Sequence, residues 1–291
     1  DTECWGEPAT IAGEAVTVDY QSVDADLAEA MASRFDRWLE IACAALDCTE
    51  LPPLTVEITS SDLPMMGWAA TDPWRLMVES PLRDRLRTDM PFSPTLQIEA
   101  ASLLAVRLVT FAGAPPELTP GTDAYYLRNE AAIPWLVGRF IEVNTGETLI
   151  DSLAQNYSPG VIGDLLQALT ADTQINVLAQ LTGTPLDQLN VDWRDYFTWR
   201  LQLEQQWIGE GRADLMTSLY DTDTVAVQAA NARLSQGTSG LPVSATVVRP
   251  ANPSPEGLPQ LAVTVRVGAE DNFTDSETLF RLRDGMWKRA N

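Results

Sequence analysis

The sequence predicts an α+β protein in two parts, and three observations carry that reading. Short segments near the N-terminus alternate apolar and polar residues, as strands with one buried face do. A long middle region, from Pro94 to about residue 206, shows helical periodicity punctuated by Pro and Gly. Three more alternating segments then close the chain after residue 240. Strands, then helices, then an antiparallel curl is the order of α+β domains rather than of a repeating βα unit.

Taken in order, residues 1–13 read as irregular, and Ala15-Val-Thr-Val-Asp-Tyr20 as a strand. Asp24 or Ser22 is expected to cap a helix running to about Leu46, whose Leu27, Met31, Phe35, Trp38, Ile41, Ala42 and Ala45 recur at helical spacing. Pro52-Pro53 breaks the chain before the strand Leu54–Thr59. Pro64 to Pro73 reads as a loop whose Met65, Met66 and Trp68 either fold back onto the core, the commoner outcome, or form an adaptable binding rim, and Arg75–Glu79 as the next strand. Pro94–Phe111 is one helix, apolar almost all round and closed before Gly113. Tyr125–Val143 is a second apolar helix, with a kink or boundary expected at Pro134. Helical pieces follow at 147–155, 160–170, 173–181 and 185–206, with Thr184 and Asp187 resembling a capping box. Trp207–Tyr220 and Thr224–Leu234 read as helices; Val243–Val248, Leu261–Val267 and Thr278–Leu282 read as strands, and Asp284-Gly285 as a turn into Met286–Arg289.

Composition narrows the function classes. The 291 residues carry a net charge of −22, and 45% hydrophobic content is ample for buried cores. Residues 1–195 hold 10 basic and 30 acidic side chains, residues 196–291 hold 9 and 11. Such a field opposes nucleic acid, whose phosphates need clustered Lys and Arg, and is repelled by anionic membrane surfaces. No apolar run reaches the length of a bilayer span. The chain contains no histidine. That absence removes imidazole metal ligands, Ser–His–Asp triads and histidine acid–base chemistry together. Cys4, Cys43 and Cys48 are disulfide candidates, either of the latter two being able to pair with Cys4, and a disulfide fits an extracytoplasmic location. The chain starts at Asp1, which reads as a mature or trimmed form whose removed segment was a signal peptide or an anchor.

Chemistry centres on the helix Pro94–Phe111. Its one acid, Glu99, sits in the second turn, where a carboxylate is costly to bury without a partner. The surrounding residues are Ile98-Glu99-Ala100-Ala101-Ser102. Further on come Ile133-Pro134-Trp135-Leu136 followed by Val137-Gly138-Arg139, then Thr182–Leu189 and Asp192-Trp193-Arg194-Asp195-Tyr196. Together with the element order, these resemble the gluzincin zinc metallopeptidases of the peptidase MA-like group. The resemblance covers roughly residues 14–200. It implies a small mixed sheet plus a helical subdomain at about 122–200, with a catalytic helix bearing His-Glu-x-x-His. Only Glu99 of that pattern is present; Ile98 and Ser102 occupy the two ligand positions, and the third-ligand glutamate after Trp135-Leu136 is replaced. No metal or cofactor is therefore expected, and Glu99 is vestigial. The segment from about Gln202, with Glu210–Leu215, Ser218–Asp221 and Arg283–Arg289, resembles the cone-like α+β fold of the nuclear-transport-factor-two type. The resemblances place the domains at 1–200 and 201–291.

The expectation that follows is a catalytically inactive metallopeptidase-like protein, acting outside the cytoplasm as a binding or structural subunit of a larger assembly. Its partner would be a protein or peptide held in a cleft near Glu99, Glu130, Trp135 and Glu142. An alternative is a metal-independent hydrolase, for instance on glycosides, pairing Glu99 with Glu130 or Glu142 as acid and base. Against it stands a Glu99 that is simply buried and held by an arginine such as Arg128 or Arg139. Asp271, Asp275 and Glu277 form an acidic stretch that lacks the glycine and spacing of a known calcium loop and reads as solvated charge before calcium site, and Asn156-Tyr-Ser and Asn272-Phe-Thr are glycosylation-type sequons.

Overall fold

Val16 and Val18, Leu54, Val56 and Ile58, and Leu76 and Val78 occupy alternate positions of three segments, and all are buried. Alternation gives each strand one apolar face. The computed structural model describes residues 5–48, 50–61, 66–83, 90–143, 148–158, 160–238, 240–269 and 271–291. Among them, β1 (Pro8–Ala12), β2 (Val16–Gln21), β3 (Leu54–Thr59), β4 (Gly67–Ala69) and β5 (Asp72–Glu79) form a mixed sheet in the order β1-β2-β3-β5-β4. The central strands β2, β3 and β5 are parallel, and β1 and β4 are antiparallel edges.

Helix α1 (Ala25–Leu46) links β2 to β3 and buries Leu27, Met31, Phe35, Trp38 and Ala42, at the spacing of one helical face. Full burial of a side chain the size of Phe35 stabilises by about 1.5–3 kcal/mol. Trp38 also stacks on Phe140 at 5.5 Å, and its indole N–H donates to the Phe140 carbonyl at 2.7 Å.

Several expectations are corrected here. Residues 8–12 are a strand, because its hairpin is held from afar: Asp36 of α1 accepts from the N–H groups of Glu14 and Ala15, both at 2.8 Å. Neither Ser22 nor Asp24 caps α1; Ser22–Asp24 is a 3-10 turn, and buried Asp24 accepts from the Ser80 hydroxyl at 2.7 Å. The expected 64–73 loop instead contains β4, and β5 begins at Asp72; Met65 lies outside the described residues.

Helix α2 spans Pro94–Phe111, as read from the sequence. The second apolar helix is one run with three textures: Asp123–Tyr125, a π-helical Tyr126–Ala132, and α3 (Ile133–Phe140). Pro134 cannot donate to the carbonyl one turn back. The preceding turns widen accordingly, and Ile133 N–H donates to Arg128 O.

The chain divides into two compact units, Asp1–Ala112 with Leu136–Asn144, and Gly113–Trp135 with Thr145–Asn291. The second unit holds α4 (Leu149–Asn156), α5 (Val161–Ala168), α6 (Val177–Thr182), α7 (Arg194–Gly209), α8 (Ala213–Ser218) and α9 (Thr224–Gln236). An antiparallel sheet follows, β6 (Val243–Ala251), β7 (Gln260–Ala269), β8 (Asn272–Arg283) and β9 (Met286–Arg289), ordered β6-β7-β8-β9 among the described residues. The protein is thus α+β, with two sheets among the described residues.

The expected division at residue 200 falls inside α7, and both sides of it belong to the second unit. Aromatic packing explains this. Trp193 meets Trp287 at 6.2 Å and Phe197 meets Phe280 at 4.5 Å, so α7 carries the floor on which the last strands lie. Asp123 adds a polar tie, accepting from Tyr196 Oη and Ile175 N–H, each at 3.0 Å, with Arg200 at 3.8 Å. Thr184 makes no capping box, since Leu186–Gln188 is a 3-10 turn without a side-chain cap. The expected 185–206 helix begins only at Arg194, and Trp207 is its continuation rather than the start of the next helix. Among the described residues, no helix is long and apolar enough to cross a membrane.

Candidate functional site

Helix α2 is started by its own sequence. Ser93 Oγ accepts from Leu96 N–H at 3.3 Å, and Pro94 fits the first turn, where no N–H is needed. Ala100, Ala101, Leu104, Ala105, Leu108 and Val109 are buried, and the three alanines allow close approach to what they cover. The opposite face is the unexpected part. Ile98 is 48% exposed, Val106 41% and Phe111 43%. The apolar sequence reads as one buried helix, yet the row Ile98, Ser102 and Val106 presents two exposed apolar side chains.

Glu99 lies on that outward face and is exposed, which corrects the expectation of a buried acid held by Arg128 or Arg139. Arg128 is itself buried and donates to Asn129 Oδ1 at 2.5 Å; burial lowers its pKa. Ser102, at the second ligand position, donates its hydroxyl to Ile98 O at 2.7 Å, within its own helix.

The flank of α2 that carries Arg107 and Phe111, about 100° or more round the helix from Val106, adjoins the edge of the first sheet. The Arg107 guanidinium lies 4.7 Å from the Trp68 ring centroid, so α2 reaches β4. Trp68 meets Trp74 edge-on at 6.4 Å, and Trp74 meets Phe111 at 5.5 Å and 86°. Strand β4 pairs only with β5 among the described residues, leaving its outer backbone edge open. An open edge beside an apolar face is the arrangement by which proteins accept an added strand.

The other expected cleft residues lie elsewhere. Glu142 is exposed at φ 58°, in the first unit, and pairs with Arg37 at 2.7 Å and Arg34 at 4.0 Å. Glu130 is exposed on the π-helical turn, and Trp135 is buried with its indole N–H donating to Asp151 Oδ1 at 2.7 Å; both belong to the second unit. The acidic 271–277 stretch is not a calcium loop. Asp275 and Glu277 lie in β8 and pair with Arg266 at 2.9 Å and Arg249 at 2.5 Å. Among the described residues, no group of three or more metal-ligating acids or thiols is clustered.

Cys43 and Cys48 are free thiols, and Cys4 lies outside the described residues. Burial, with Cys43 beside it, pushes the Cys48 thiol up to about 12. Of the sequons, Asn272 is exposed, whereas the Asn156 amide already donates to Ser152 O at 2.9 Å and Asn190 O at 3.0 Å.

Sequence reasoning named Trp68 as a binding rim and Glu99 as the centre, but missed Val106, Arg107, Phe111 and Trp74. The spacing of four from Ile98 to Ser102 to Val106 was the available signal. No family model, no curated protein and no solved structure matches the chain.

Proposed function

We propose that the chain is a non-catalytic, metallopeptidase-like binding module that works outside the cytoplasm as a subunit of a larger assembly. Its site is the open edge of β4 with the outward face of α2. The occupant is an extended segment of a partner protein, apolar on one side and carrying Lys or Arg. The carrying observation is the edge of β4, unpaired among the described residues and reached by α2 through Arg107, in a unit whose α2 also exposes Ile98, Val106 and Phe111.

Two features support that occupant. An added strand satisfies the outward N–H and C=O groups of β4, and its side chains cover the α2 stripe, each half-exposed Ile, Val or Phe contributing about 1 kcal/mol. Charge selects the partner: the first unit's 20 acidic against 8 basic side chains steer a cationic segment inward and repel an anionic one. Catalysis is set aside on residue chemistry. With Ile98 and Ser102 where the resembled family has histidines, and no histidine in the chain, Glu99 has no partner of the kind a zinc peptidase uses. Glu142, its proposed partner in carboxylate hydrolysis, is engaged by Arg37.

The test is a fluorescence titration of the full chain with synthetic Lys/Val/Phe-rich peptides, reading the Trp68–Trp74 pair. Saturable binding that weakens at least 10-fold in Val106→Asp, and weakens with added salt, is expected. Binding indifferent to Val106→Asp refutes the site.

A further inference from the structure

The second unit has an open edge of its own. Among the described residues strand β6 ends its sheet, and a cavity of about 590 Å³ lies along it, lined by Gln155, Asn156, Asn190, Asp192, Arg194 and Val247 among others. The edge is open only in part. At its start, Ala245 N–H donates outward to Thr198 Oγ1 at 2.9 Å, so α7 covers that end. At its far end stands exposed Pro250, which has no N–H for the ladder and so turns its nitrogen to the outer side. The register shifts between Ala245 and Val247, making Thr246 the extra residue of a bulge. With the strand period of two, Val248 then turns its N–H and C=O outward in phase with Pro250. What remains accessible is Thr246–Arg249, about 13 Å at ~3.3 Å per residue.

The groove walls are polar and held in place. Asn156 and Asn190 exchange hydrogen bonds, Asn190 Nδ2 donating to Asn156 Oδ1 at 3.1 Å and Asn156 Nδ2 to Asn190 O at 3.0 Å. Asp192 N–H donates to Ser152 Oγ at 3.1 Å, and the Asp192 carboxylate accepts from Arg194 Nε at 2.9 Å. Val247, 50% exposed, is the most exposed apolar side chain of the lining, with half-buried Val191 and Val248 beside it.

We infer that this groove is a second binding site, taking an extended peptide segment of about four residues by strand addition to Val248, with small or amide side chains against Gln155, Asn156 and Asn190. Competing ligand classes fit less well. Saccharide sites offer an exposed ring for stacking, and here Trp193 is 5% exposed. Nucleic acid needs several cations, and Arg194 is already paired with Asp192. An apolar small molecule would meet mostly polar walls.

The test is selection of a random heptapeptide phage library on the purified full chain, followed by calorimetry with synthetic copies of the enriched peptides. Expected is a peptide whose affinity drops at least 10-fold in Val248→Pro and about 2–5-fold in Gln155→Ala, and is unchanged in Val106→Asp. Hydrogen exchange on the wild type gives a reading independent of variant folding: the Val248 amide becomes protected when peptide is added. No enriched peptide, peptides sensitive to Val106→Asp but not to Val248→Pro, or an unprotected Val248 amide overturns the inference. So does an oligosaccharide array yielding binding lost in Gln155→Ala.

Discussion

The guanidinium carbon of Arg107 lies 4.7 Å from the centre of the Trp68 ring, joining one flank of α2 to the edge strand β4. A cation over an indole face contributes about 0.5–2 kcal/mol depending on its desolvation. Arg107→Ala is therefore expected to lower unfolding free energy by that amount and to red-shift Trp emission as Trp68 loosens. Arg107→Lys should restore part of both. Chemical denaturation with fluorescence detection reads the two effects together.

Asp123 is the polar tie of the second unit, buried at 3% exposure and shared by Tyr196, Ile175 and Arg200. Removing it strands a buried guanidinium and two donors, so Asp123→Ala should cost about 3–5 kcal/mol. Tyr196→Phe removes one hydrogen bond and should cost about 1–3 kcal/mol by leaving an acceptor short. Urea unfolding monitored by circular dichroism distinguishes the two. Equal small losses would mean that the network is not the tie described.

Much of the first sheet was legible because its signal is local. The alternation in Val16–Gln21 and Leu54–Thr59, and the proline and serine that open α2, sit within a few residues of what they specify. Strand β1 was missed because Asp36, more than twenty residues away, holds its hairpin. The continuity of the chain across residue 200 has no local signal, because it rests on Trp193 and Phe197 packing on Trp287 and Phe280, a fact of tertiary pairing. The outward face of α2 was illegible for a deeper reason. An exposed apolar side chain such as Val106 reads the same in the sequence as one buried in a core, and only the packing separates them.

Asp24 should give stability a pH dependence of one sign. Burial, the largest cause, raises its pKa above 3.8, and the Ser80 hydrogen bond offsets this in part. A carboxyl whose folded pKa is raised contributes stability that is full below its unfolded pKa and lost as pH rises through the folded value. Asp24→Asn cannot lose that contribution, so its stability relative to wild type should improve between about pH 3.5 and pH 7. Thermal unfolding across that range checks it, and a pH-independent difference would contradict it.

Asp223 should show the opposite sign. It caps α9, accepting from Ala226 N–H at 2.8 Å and from Arg281 Nη1 at 2.6 Å, and the Ala226 N–H foremost holds its pKa below 3.8. Its contribution is present above the unfolded value and lost as pH falls through the folded one. Asp223→Ala is expected to cost about 0.5–2 kcal/mol at neutral pH. The penalty should shrink toward zero in acid. Calorimetric melting points of the two proteins at several pH values measure it.

Hydrogen exchange of the Gly67–Ala69 amides, with a Lys/Val/Phe-rich peptide added and the peptide recovered afterwards, probes the β4 edge most directly. The expected result is protection of these amides in the wild type, its loss in Val106→Asp, and an intact peptide. Unchanged exchange, or peptide cleavage abolished by Glu99→Gln, would contradict a non-catalytic docking groove.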